Sequence, residues 1–180
     1  TIFSQRMDYY TDVRHAYFYG ATTINGEEYD VFCNRGFFDS NLKKGYFQDR
    51  ATVDYNLRNI KGDSIYFDDH IQYAAATRNV QITDTIGNNV IRGEYGEVFK
   101  DKDSAIVTQN PIAVKLVDKD SLYIHADTLL ATGPAENRIL TGYYGVRIYK
   151  TNLSGVSDSI HVDQKSGLIQ LLRYPIGDRE

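Results

Sequence analysis

This 180-residue sequence reads as an all-β chain, on three grounds. β-Branched and aromatic residues dominate, with 16 Ile, 12 Val, 13 Thr, 15 Tyr and 8 Phe. Such side chains fit a pleated, half-buried surface. The good helix formers are scarce, at 11 Leu, 11 Ala and only 6 Glu. Turn chemistry is abundant, with 18 Asp, 11 Asn and 14 Gly, and turn signals recur about every ten residues, a spacing that suits short strands.

Alternation of period two then places the strands in order. Short stretches at residues 6–10 and 28–31 flank the Asn25-Gly26 turn. Phe18-Tyr19-Gly20-Ala21-Thr22 lies between them. After Lys61-Gly62-Asp63, the segment 63–68 puts Ile65 and Phe67 on one face. Asn79-Val80-Gln81-Ile82-Thr83 does the same for Val80 and Ile82. Residues 71–77, with Ala74, Ala75 and Ala76, make the best helical stretch, and it is too short to stand as one. Beyond the Gly87-Asn88-Asn89 and Asp101-Lys102-Asp103 turns, Ala113-Val114-Lys115-Leu116 presents Val114 and Leu116 together. Leu122 with Ile124, Val146 with Ile148, and Ile160 with Val162 follow, punctuated by Gly133-Pro134 and Lys165-Ser166-Gly167. About sixteen strands fit the length.

Several function classes fall away. A net charge of −4 with no Lys/Arg cluster argues against a nucleic-acid surface. No run of 18 apolar residues exists, so no helical span is expected. The single Cys33 forms no internal disulfide; flanked by Phe32 and Asn34, it reads as a half-buried strand residue rather than a nucleophile. Thr1 begins with neither a charged n-region nor an apolar h-region.

One phrase repeats. Asp63-Ser64-Ile65-Tyr66-Phe67-Asp68, Asp120-Ser121-Leu122-Tyr123-Ile124-His125 and Asp158-Ser159-Ile160-His161-Val162-Asp163 share Asp-Ser-apolar-polar-apolar-polar. Between copies lie segments of a second type, such as Ala76-Thr77-Arg78-Asn79-Val80 and Leu140-Thr141-Gly142-Tyr143. Self-similarity of this kind signals stacked units sharing one elongated core. Two facing sheets result, with inward Ile65, Phe67, Val80, Ile82, Val114, Leu116, Leu122, Ile124, Val146, Ile148, Ile160 and Val162. These rows read either as closed core or, where the walls splay, as the lining of an apolar slot.

The repeated phrase, with Asn79-Val80-Gln81-Ile82 and Gly142-Tyr143-Tyr144-Gly145-Val146-Arg147-Ile148-Tyr149, resembles the LptA/OstA-like family, in its Bacteroides-type OstA-like branch. Arg78-Asn79-Val80 stands where that family has Gly-Asn-Val, and Thr141-Gly142-Tyr143 keeps its Thr-Gly. The resemblance covers residues 51–174 clearly and 1–50 weakly, with 175–180 as a tail, and implies a single OstA-like domain over 1–180. It implies an elongated, twisted antiparallel β-jelly-roll, or open β-sandwich, of stacked two-strand repeats. It further implies an exported, periplasmic, non-enzymatic protein that needs no cofactor. Lipid A acyl chains of lipopolysaccharide would lie in the apolar groove, with the twelve inward residues as its lining. Other Lpt-type jelly-roll proteins, or copies stacked head to tail, would join through edge strands.

Other chemistry is thinner. His125 with Asp127 and His161 with Asp163 offer two-ligand edges for a metal, but the repeat places them on a solvent face. Glu94 and Glu97 are the carboxylates a β-solenoid acting on polysaccharide would use. Tyr9, Tyr10, Tyr17, Phe18, Tyr19, Phe37, Phe38, Tyr46 and Phe47 crowd the first fifty residues, and an exposed subset would suit a glycan-binding module. Arg78, Arg92, Lys115, Arg138 and Arg147 are the basic residues available to phosphate groups.

Overall fold

The structure, a computed structural model, describes residues 1–87, 89–117, 119–173 and 176–178. Asn88 of the predicted 87–89 turn, Tyr174, and Pro175, Arg179 and Glu180 of the tail lie outside the described residues. Eighteen strands form among the described residues, with one 3-10 turn at Ala135–Asn137. The first six are short: β1 (Ile2–Ser4), β2 (Met7–Tyr10), β3 (His15–Phe18), β4 (Thr22–Asn25), β5 (Tyr29–Cys33) and β6 (Arg35–Asp39). Four long strands follow: β7 (Lys44–Tyr55), β8 (Arg58–Asp68), β9 (Tyr73–Asp84) and β10 (Val90–Phe99). Then come β11 (Ser104–Thr108), β12 (Ile112–Val117), β13 (Asp120–His125) and β14 (Thr128–Thr132). The long β15 (Ile139–Lys150) and β16 (Leu153–Asp163) precede β17 (Ile169–Leu172) and β18 (Ile176–Asp178).

Every pairing is antiparallel, and the long strands belong to two walls at once. The second half of β7 pairs with β5, from Tyr29↔Tyr55 to Phe32↔Thr52, while its first half pairs with β6. Likewise β10 pairs with β12 through residues 90–92 and with β11 through residues 95–99. One wall therefore runs β1-β4-β5, through half of each of β7, β8, β9 and β10, to β12-β13, β15, β16 and β18. The other runs β2-β3-β6, through the remaining halves, to β11-β14, β15, β16 and β17.

Each long strand turns from wall to wall at a bulge. Register shifts fall between Gln48 and Ala51, Lys61 and Ser64, Gly93 and Tyr95, and Tyr143 and Val146. Asp49, Arg50, Arg78, Asn79, Tyr144 and Gly145 there adopt positive φ between 51° and 67°, the local kink that an extra residue in one strand imposes. The corner is stitched by Asn34 Nδ2 donating to the Asp49 carbonyl at 2.7 Å and Asn79 Nδ2 donating to Asp63 Oδ2 at 3.0 Å. At the opposite edge the strands end in aspartates. Asp39 Oδ1 accepts the N–H groups of Asn41 and Leu42 at 2.9 and 3.0 Å, and Asp163 Oδ1 those of Lys165 and Ser166 at 2.9 and 3.1 Å. Asp68 serves His70 and Ile71 in the same way. This turn chemistry explains the abundance of Asp.

The inward residues form rows across whole walls. On the first wall Ile24, Val31, Val53, Ile60, Ile82, Ile91, Ala113, Ile124 and Ile148 stand opposite one another in succession. On the second, Phe18, Gly36, Phe47, Ile65, Ala76, Gly96, Val107, Leu129, Gly142 and Ile160 do so. The walls come together where a side chain is missing. A Cβ on Gly96 would stand 3.0 Å from Val80 and 3.1 Å from Ile82.

Residues 71–77, too short for a helix, are a turn running into β9, with Ala74 and Ala76 facing inward opposite Phe67 and Ile65. Two sequence expectations change. The three Asp-Ser phrases are not equivalent. Asp63 and Asp158 open second-wall halves at the corner, whereas Asp120 begins a first-wall strand at the far edge. Cys33 is fully rather than half buried, at 0% exposure.

Candidate functional site

At the edge away from the corner, the first wall presents Tyr29, Tyr55, Arg58 and Asp84 in one row. Turns of the second wall meet it side chain to side chain. Tyr55 Oη donates to Asp69 at 3.4 Å, and Lys100 pairs with Glu28. Arg58 and Asn56 reach Asp103 Oδ1 at 3.3 and 3.2 Å. Arg138 Nε donates to Asp84 Oδ2 at 2.6 Å and its Nη1 to Asp103 Oδ1 at 2.8 Å. Asn89 Nδ2 donates to Gln164 Oε1 at 3.0 Å. Together these contacts form a polar seam that closes the sandwich along its middle.

Burial works against the charge on Arg138, and its hydrogen bonds to Asp103 and Asp84 outweigh that, holding its pKa above the ordinary arginine value. Arg58, desolvated and beside Arg138, is pushed the other way.

Beneath the seam lies a cavity of about 50 Å³, walled by Ile82, Ile91, Ala105, Ala113, Ala131 and Val162 and rimmed by Arg58, Asp84, Lys115 and Arg138. Alanines make this space: Ala113 stands between Ile91 and Ile124, and Ala105 faces Ala131 across the β11–β14 ladder. Past Gln164 the walls part. An open slot of about 280 Å³ lies between Lys115, Leu122, Val162 and Ile169, and Lys115 and Val162 belong to both spaces.

Ten of the twelve predicted lining residues face the interior: Ile65, Phe67, Val80, Ile82, Leu122, Ile124, Val146, Ile148, Ile160 and Val162 are each 0–4% exposed. Most are packed as core; only Ile82, Leu122 and Val162 touch the cavity or the slot. Val114 and Leu116 lie on the other face of β12, yet Val114 borders the cavity and Leu116 the slot. Ala113 stands opposite Ile124 and Lys115 opposite Leu122, so the inward face of β12 carries Ala113 and Lys115. Leu116 is 72% exposed, at the mouth of the slot. The physical cause is a one-residue choice of face: β12 shows its larger aliphatics to solvent. Arg138 and Lys115, both named among dispersed basic residues, are the ones the fold brings to the interior.

No family profile matches this sequence, and no curated protein does. Among solved structures, the chain is similar to LptH of Pseudomonas aeruginosa, the LptA-homologous periplasmic component of that organism's lipopolysaccharide transport device. The TM-score is 0.57 at 16% identity, over 64% of this chain and 82% of that one. The fold is LptA-like.

The outer faces of this LptA-like sandwich hold the other candidates, and they do not converge. Glu97 accepts hydrogen bonds from Tyr73 and, at 3.1 Å, Tyr95, whereas Glu94 takes the Asn79 N–H at the corner. Among the described residues no group of three or more His, Cys, Asp or Glu could hold a metal, and no helix is long and apolar enough to cross a membrane. Arg92 bonds Gln81 on the outside, Arg78 lies 3.9 Å from Asp63 at the corner, and Arg147 stands opposite His125. The aromatic residues of the first fifty divide. Phe18, Phe38 and Phe47 are core, and Tyr17 packs on Phe37 outside at 5.1 Å, with Tyr46 on Tyr66 at 4.9 Å.

Proposed function

We propose that this chain binds and relays lipopolysaccharide in the periplasm without catalysis, shielding lipid A acyl chains between its two walls. The observation that carries the reading is the apolar interior that runs rung to rung and opens into the slot beside Lys115, Leu122 and Ile169. Each methylene moved from water into such a space is stabilised by about 0.8 kcal/mol. Apolar walls are non-directional, so a chain can slide past equivalent rungs. Likeness to LptH supports the architecture this needs. Placement in the Bacteroides-type branch, and treatment of residues 1–180 as one OstA-like domain, rest on the repeated Asp-Ser phrase.

Partners follow from the ends of the walls. Among the described pairings β1 joins only β4 and β2 only β3, while β17 and β18 join only β16. Unpaired edges of this kind accept another strand, from a further copy or from other Lpt-type jelly-rolls.

Photocrosslinking residues at Ile82 and Leu122, which border the cavity and the slot, exposed to purified lipopolysaccharide, test the reading. Adducts from these positions and not from outward Gln81 or Arg147 are expected. Labelling from the outer positions alone, or from none, overturns it.

A glycan-binding role is the second reading, favoured by the outer row Tyr17, Phe37, Tyr46 and Tyr66, which stand opposite one another across four strands. Oligosaccharide binding abolished by Tyr46→Ala, with no lipid adduct inside, would select it.

A further inference from the structure

Three cations, Arg58, Lys115 and Arg138, line the cavity beneath the seam. Two carboxylates answer them, Asp84 and Asp103. Arg138 is 5% exposed, and its Nη2 is buried without a hydrogen-bond partner among the described residues. Leaving such a donor unsatisfied is costly in an interior. Lys115 makes no ion pair among the described residues. Asp163, the acid whose charge it senses, already spends Oδ1 on the Lys165 and Ser166 N–H groups.

The two carboxylates are not alike. The Asp84 side chain is 10% exposed and held by Arg138 at 2.6 Å, whereas that of Asp103 is 39% exposed and bridges both arginines. Asp103 also takes a bond from Asn56 at 3.2 Å. Being the more exposed of the two, it can swing to solvent at the smaller cost. If it leaves, the two guanidiniums that met on its Oδ1 share one vacated site, with Arg138 Nη2 beside it still unpartnered among the described residues, a pairing suited to an anion with several oxygens.

We infer that this rim receives the anionic headgroup of an alkyl-chain amphiphile, a phosphate that takes the place of Asp103 between Arg58 and Arg138. Its chain then lies along Ala105, Ala113 and Ala131 toward the open slot. Exchange at Asp103 also unlocks the seam, because that carboxylate ties a turn of the second wall to Arg58 of the first. Unlocking is needed: the cavity measures about 50 Å³, and an apolar cavity of about 150 Å³ is what admits a benzene. The inference rests on the reading of the interior as a chain-binding space and adds to it which headgroup enters, and where.

Calorimetric titration of the full chain with decyl phosphate, decyl maltoside and inorganic phosphate, all below micelle-forming concentration, tests it. Decyl phosphate should bind about tenfold or more tighter than decyl maltoside, the scale of one charge-assisted hydrogen bond, and far tighter than inorganic phosphate. Asp103→Asn should strengthen decyl phosphate binding more than it strengthens decyl maltoside binding. Arg138→Gln should erase the preference. Because that variant strands Asp84, Lys115→Gln gives an independent arm that breaks no ion pair and should reduce the preference severalfold. Equal binding of the two decyl probes, or inorganic phosphate binding as tightly as decyl phosphate, overturns the inference alone. Absence of binding by both decyl probes overturns the chain-binding reading with it.

Discussion

Lys115 stands directly opposite Leu122 in the β12–β13 ladder, and through that pairing a cation enters the apolar interior while Leu116 beside it goes to solvent. Burial lowers the pKa of Lys115 below the ordinary lysine range. A lysine held this way is positioned by the register of a whole wall, not by any local partner.

The register makes opposite predictions for two aliphatic residues of the same hairpin. Truncating a buried aliphatic costs about 2–5 kcal/mol, and Ile124, at 0% exposure, should show that loss on Ile124→Ala. Leu116→Ser, at a site 72% exposed, should change stability by no more than about 0.5 kcal/mol. Urea midpoints of the two variants measure the contrast, and a large loss from Leu116→Ser would reverse the assigned face.

Tight packing between neighbouring strands of the second wall predicts a penalty for adding bulk at Gly142. A Cβ there would stand 2.7 Å from Ile160 Cγ2 and 3.2 Å from Leu129. Overpacking of this kind costs about 1–3 kcal/mol. Gly142→Val should therefore lower the thermal midpoint, and pairing it with Ile160→Ala should recover part of the loss. No loss in the single variant would mean that Ile160 and Leu129 leave room beside Gly142.

Acid should weaken the fold through its turn aspartates. The Leu42 N–H, followed by that of Asn41 and by His15, holds the Asp39 carboxyl below its ordinary range, and the Ser166 N–H does the same for Asp163. A depressed folded pKa contributes stability above the unfolded value, about 3.9, and loses it as pH falls through the folded value. Urea midpoints should thus hold steady down to about pH 5 and fall below about pH 4. Asp39→Asn should flatten that acid slope; an unchanged slope would remove Asp39 from the account.

Cys33 should be inert while the chain is folded. It is 0% exposed, and burial pushes its thiol up to about 12, so the reactive thiolate is scarce at neutral pH. A thiol reagent should label it only at the rate of unfolding, rising steeply with added urea. Rapid labelling in native buffer would contradict its place in the core.

That the protein is built of strands is legible residue by residue, because β-branched side chains, alternation of period two and aspartate turns are local properties that each segment carries alone. Ten of the inward positions, from Ile65 to Val162, are legible for the same reason: the apolar member of each alternating pair is plain. The face of β12 is not. Ala113-Val114-Lys115-Leu116 points by its pattern to Val114 and Leu116 inward, and pairing with Ile124 and Leu122 selects the opposite face. The seam too exists only in the folded chain. Arg138 and Asp84 are 54 residues apart, and no local pattern can announce that two distant turns will bring their charges together over an apolar space.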